Sequence, residues 1–129
     1  MKNPHTDQYL ATALWSSTDE DGTPLDRVDD GWVKWDPATE SALRAECETW
    51  LTAHAELIDA GGGDYGRAAH DLWLAQNGHG AGFWVGSDWP EDIGRALTDA
   101  SKALGERNLY LSDPDADGQR YVCCYEVAR

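Results

Sequence analysis

The sequence predicts an α+β domain: about four helices packed on a small antiparallel sheet, closed by a C-terminal β-hairpin. Three observations predict it. Four segments carry apolar residues at helical spacing. The C-terminal segment alternates apolar and polar residues on both sides of a D-P-D-A-D-G turn. The 129 residues suit one domain, 1–129, with a single core.

The first helix covers residues 7–15, where Tyr9, Leu10, Ala13 and Leu14 share a face and Thr6 or Asp7 is the expected cap. A long acidic loop follows, about residues 16–36. It has little periodicity, and docking of Trp32, Val33 and Trp35 is expected to order its end. The clearest helix opens at Asp36-Pro37, cap and first turn. Leu43, Cys47, Trp50, Leu51, His54, Leu57 and Ile58 follow its 3.6-residue period until the glycines at 61–63 stop it. A third helix runs from about 64 to 76, with Leu72, Trp73 and Gln76 on one side, and Asn77-Gly78 ends it. A-G-F-W-V-G reads as a short strand. The fourth helix has Asp88 and Glu91 at capping-box spacing and a buried stripe of Ile93, Leu97, Ala100 and Leu104. The hairpin closes the chain, and no internal repeat is evident.

Composition limits the function. Seven tryptophans, five tyrosines and a single phenylalanine mean a core built on indole rings, whose N–H groups need partners when buried. The net charge of −14 excludes a counterion-displacing basic stripe, so direct nucleic-acid binding is not expected. An anionic membrane is disfavoured likewise. No apolar run reaches a membrane span, and the N-terminus lacks a signal peptide's apolar middle, so a cytoplasmic protein is expected. Three cysteines, Cys47, Cys123 and Cys124, read as free thiols.

Three constellations are candidates for a site. The stretch H-D-L-W-L-A-Q-N-G-H-G-A-G-F-W sets His70, Asp71, Asn77 and His79 around a glycine-rich turn, a possible ligand-binding set. No phosphate-loop lysine follows, so glycines as helix-to-strand punctuation are the simpler account. Asp113, Asp115 and Asp117, with Gly118, match the first half of a calcium loop. Position twelve is Cys124 where a glutamate belongs, and the flanks read as strands, so calcium is a weak expectation and otherwise no cofactor is implied. The third constellation is acidity with aromatics. Asp19, Glu20, Asp21, Asp29 and Asp30 crowd the long loop beside Trp32 and Trp35, and Trp15 and Trp89 look exposed too. Aromatic anchors within a charged rim are what interfaces use, although a solvated face that keeps the protein soluble is the simpler account of the charge. Nucleophile motifs are absent, which leans away from an enzyme.

The segments Y-L-A-T-A-L-W-S-S-T-D-E-D-G-T-P-L-D, A-A-H-D-L-W-L-A-Q-N-G-H-G-A-G-F-W and G-R-A-L-T-D-A-S-K-A-L-G-E-R-N-L-Y-L-S-D resemble a widespread small protein family of tailed bacteriophages. The resemblance covers most of the chain and implies a phage or prophage origin, with no catalytic residue to transfer. The chain's end departs from the family pattern by a longer turn. Three functions follow as expectations. The favoured one is an accessory protein that binds a basic host protein through its acidic, aromatic-bearing surface, in its sharpest form by imitating DNA or blocking a defence factor. The alternative is a small-ligand or metal-binding domain centred on His79. The third is an assembly role in a homo-oligomer.

Overall fold

The computed structural model describes residues 3–78, 83 and 89–127. Among these residues, five α-helices and a three-stranded sheet make the expected α+β fold. Helix α1 spans Pro4–Ser16. It starts earlier than periodicity suggested because Asn3 caps it, its side chain accepting from His5 N at 2.8 Å, with Pro4 in the first turn. This is the same device that opens α2 (Pro37–Ala53), where Asp36 Oδ2 accepts from the Thr39 N–H at 3.0 Å and its hydroxyl at 2.9 Å.

The long helix expected from 36 to 60 is two helices. After α2 comes α3 (Ala55–Ala60), and His54 at the junction leaves helical geometry with φ −114° and ψ 19°. Its ring Nδ1 lies 2.9 Å from Trp50 O, a side-chain bond that competes with the helical ladder. Helix α4 (Tyr65–Gln76) is capped by Asp64, which accepts from Arg67 N at 2.9 Å, and Gly78 ends it at φ 71°. Helix α5 spans Glu91–Leu104 with no side-chain cap, and Asp88 lies outside the described residues.

The sheet is mixed instead of antiparallel throughout. Strand β1 (Lys34–Trp35), β2 (Leu109–Leu111) and β3 (Tyr121–Cys124) stand in the order β1-β3-β2. The C-terminal hairpin pairs β2 antiparallel to β3, as expected, but β1 runs parallel to β3. Of the A-G-F-W-V-G segment only Phe83 is described. It is fully buried between Trp50 and Trp89. Gly94 is what lets α5 lie there, since a Cβ on it would collide with the Phe83 carbonyl.

Two clusters hold the chain together. The larger joins the helices through Tyr9, Leu43, Cys47, Trp50, Leu72, Trp73, Trp89 and Leu97. Helix α4 lies centrally, against α1 on one side and α5 on the other. Every buried indole among the described residues finds its acceptor: Trp73 Nε1 donates to Ser16 Oγ (2.9 Å), Trp89 Nε1 to Asp71 Oδ2 (2.7 Å) and Trp50 Nε1 to Ala100 O (3.4 Å). Gln76 stitches three elements. It accepts from Tyr9 OH at 2.7 Å and donates to Gly105 O at 2.9 Å.

The smaller cluster sits under the sheet. Leu25 and Val28 bury against Val122, with Val33, Trp35, Leu109 and Leu111 around them. The acidic loop is thus pinned by two aliphatic residues and not by Trp32, which stays 51% exposed. Trp35 is half-buried and packs against both clusters. Trp89, expected outside, is buried. None of the described helices is long and apolar enough to cross a membrane.

Candidate functional site: a groove along the sheet edge

Two loops of the molecule use one local sequence, D-x-D-G, to make one turn. In the first, Asp19 Oδ1 accepts from Asp21 N and Thr23 N, both at 2.9 Å, while Asp19 N donates to Thr23 O and Gly22 N to Asp19 O. In the second, Asp115 Oδ1 accepts from Asp117 N and Gln119 N at 2.9 Å, Asp115 N donates to Gln119 O and Gly118 N to Asp115 O. The glycine closes each turn at positive φ, 82° for Gly22 and 78° for Gly118. The resemblance between D-E-D-G-T and D-A-D-G-Q was the repeat in the sequence that periodicity does not reveal.

This geometry explains the half calcium loop. Asp115, the central carboxylate of that match, is spent on its own backbone. Asp113, Asp115 and Asp117 are all exposed, and among the described residues no group of three or more His, Cys, Asp or Glu side chains is placed to hold a metal ion.

A groove of about 500 Å³ runs between the first turn and strand β2. Thr18, Asp19, Glu20 and Asp21 form one wall. Leu109, Tyr110, Leu111, Ser112 and Asp113 form the other, with Arg120 and Tyr125 beside them. A second hollow of about 320 Å³ shares Thr18 and Leu109 with the first and extends past Asn108, Arg107 and Glu106 towards Asn77. Together they follow the whole length of β2.

Acid dominates the lining. Its two arginines are already neutralised by carboxylates that do not line it: Arg107 Nη2 stands 2.7 Å from Glu46 Oε2, and Arg120 forks Asp29 with two bonds of 2.9 Å. The fork holds the Asp29 carboxyl below its ordinary range. Glu20, Asp21, Glu106 and Asp113 have no ion-pair partner among the described residues. Tyr110 and Tyr125 add an aromatic platform, ring centroids 4.3 Å apart, with Tyr125 71% exposed. Alternation along the hairpin arms, with Tyr110 opposite Cys123 and diagonal to Tyr125, was the signal available in the sequence.

The acidic loop leads away from this groove. Asp29 and Asp30 hold left-handed backbone, φ 52° and 55°, which non-glycine residues rarely adopt. Arg120 secures the first, and Gln119 Nε2 donates to Trp32 O at 2.8 Å, so the hairpin turn fixes the loop that displays Asp30 and Trp32. Of the expected partner-binding set, Glu20, Asp21, Asp29, Asp30 and Trp32 are exposed. Asp19 is half-buried within its turn and Trp35 faces the core clusters.

Of the expected ligand set, His70 and Asp71 meet, and Asn77 is held by other partners. Asp71 is buried and fully engaged: Oδ1 meets His70 Nδ1 at 2.9 Å, and Oδ2 takes Trp89 Nε1 at 2.7 Å and Arg67 Nε at 3.2 Å. Asn77 Nδ2 donates to Trp73 O and its Oδ1 accepts from Arg107 N, bracing α4 against the segment after α5. His70 lines a different hollow, with Gln8, Asp64, Gly66 and Arg67. His79 lies outside the described residues. Burial pushes the Cys47 thiol up to about 12 and the Cys124 thiol, also hydrogen-bonded to Glu126, up to about 11.

Comparison of the chain with protein-family models, with curated proteins and with solved structures finds no match.

Proposed function

We propose that the chain is a docking protein that binds a basic protein partner through its acidic, aromatic-bearing face. One observation carries this reading. Glu20, Asp21, Asp30 and Asp113 are exposed, without an ion-pair partner among the described residues, and the rings of Trp32 and Tyr125 are exposed as well. Arg120–Asp29 and Gln119–Trp32 bonds tie the loop that carries Asp30 and Trp32 to the hairpin turn. Unpaired surface charge steers encounter with a complementary partner, and desolvated aromatic rings supply the anchoring energy. A face serving solubility alone has no need of a strained loop to hold a tryptophan outward.

The resemblance to phage proteins makes a bacterial host protein the natural partner, in the host cytoplasm. Where that partner handles nucleic acid, imitation of DNA phosphates is the form the docking takes. The test is affinity capture from bacterial lysate with two baits, the native chain and Asp30→Asn/Trp32→Ala. Asparagine tolerates the left-handed backbone, so the loop keeps its shape while losing charge. A basic protein retained by the native chain, eluted by salt and lost from the double variant is the expected result. Equal retention by both baits, or retention of acidic proteins only, contradicts the reading.

A further inference from the structure

Among the described residues, strand β2 is an edge of the sheet. Tyr125 N donates to Asn108 O at 3.0 Å and Ser112 N to Tyr121 O at 2.9 Å. Antiparallel pairing alternates, so this register turns the backbone N–H and C=O of Leu109 and Leu111 away from β3. They point along the groove, and no described backbone group outside the strand bonds them. Edges of natural sheets are commonly blunted by lysine, proline or an inward charge. The Leu-Tyr-Leu edge is short, three residues, and carries no lysine, proline or charge within it.

We propose that this edge takes an extended, basic segment of the partner protein as a fourth strand beside β2. The inference rests on the docking reading and specifies how the partner is held. Backbone bonds to Leu109 and Leu111 supply affinity irrespective of sequence. Alternate side chains of the added strand then face the acidic wall, where lysine or arginine meets Glu20, Asp21 and Asp113. The same charge argues against a second copy of this chain as the occupant. Two acidic grooves brought edge to edge repel each other.

The probe is a capped peptide of alternating lysine and valine, titrated into the full-length chain at low salt and followed by amide NMR and hydrogen exchange. The Leu109 and Leu111 amides are expected to shift and to slow their exchange at least tenfold. Two further peptides carry N-methyl groups on alternate residues, in the two opposite phases. One should bind at least tenfold more weakly and the other should bind as the parent does. If the parent peptide binds, with shifts at Glu20 and Asp21, but leaves Leu109 and Leu111 unprotected and ignores the phase of methylation, strand addition is overturned while docking stands. Equal binding by a glutamate–valine peptide overturns the charge complementarity. No binding by the lysine–valine peptide overturns strand addition, and the lysate capture then judges docking separately.

Discussion

Asp71 and the groove acids are the same chemical group put to opposite uses. Asp71 is buried, and each of its oxygens is taken by a named donor from α4 or Trp89. Glu20, Asp21 and Asp113 are exposed and leave their carboxylates unpaired among the described residues. A buried carboxylate with partners is a structural fixture, because removing it strands donors that have lost water. An exposed one without partners costs the fold little to change and is available to something else. In an acidic chain, the acids worth testing for binding are therefore those the fold does not use.

The largest effect expected is at Asp71. Asp71→Ala removes the acceptor that Trp89 Nε1 uses and should cost about 3 kcal/mol, lowering the melting temperature by about 10 °C in a thermal denaturation. A loss within experimental error would mean that the buried acid is no more structural than the exposed ones. Charge reversal in the groove should do the converse. Glu20→Lys/Asp21→Lys is expected to leave the melting temperature unchanged and to weaken binding of the basic partner at least tenfold.

The paired turns sharpen the comparison, because Asp19 and Asp115 are acids whose hydrogen bonds among the described residues go to the backbone of their own turns. Asp19→Ala and Asp115→Ala should each cost about 1 kcal/mol, by analogy with helix caps, and the two losses measured by urea denaturation should be alike. A large difference would show that the matching bonds do not carry matching weight. The smallest effect lies at the Arg120–Asp29 fork. Its folded carboxyl titrates below the unfolded value, so the pair stabilises the fold above the ordinary carboxylate range and that contribution is lost as pH falls through the lowered value. Carboxyl NMR titration should find Asp29 low in the native chain and back in the ordinary carboxylate range in Arg120→Ala.

What the sequence disclosed is local. Asp36-Pro37, the periodicity of α2, α4 and α5, the Asn77-Gly78 stop and the alternating hairpin arms are written within a few residues of where they act. The fate of the tryptophans is not. Trp32 and Trp35 are three residues apart, yet one is exposed and the other packs against both clusters, since Lys34–Trp35 joins β3 across a long separation. Trp89 is buried because Asp71, eighteen residues earlier, receives its N–H. Parallel pairing of β1 with β3 has no local signature at all. The groove was hidden for the same reason: its walls, about ninety residues apart in the chain, meet only after the sheet forms.

The central claim is that the exposed acids of the groove exist to meet positive charge. The most direct measurement is the affinity of the lysine–valine peptide across a range of salt concentrations, for the native chain and for Glu20→Gln/Asp21→Asn/Asp113→Asn. The expected outcome is binding that weakens steeply with salt in the native chain, and weak, nearly salt-independent binding in the neutralised one. Identical salt curves for the two proteins would contradict it.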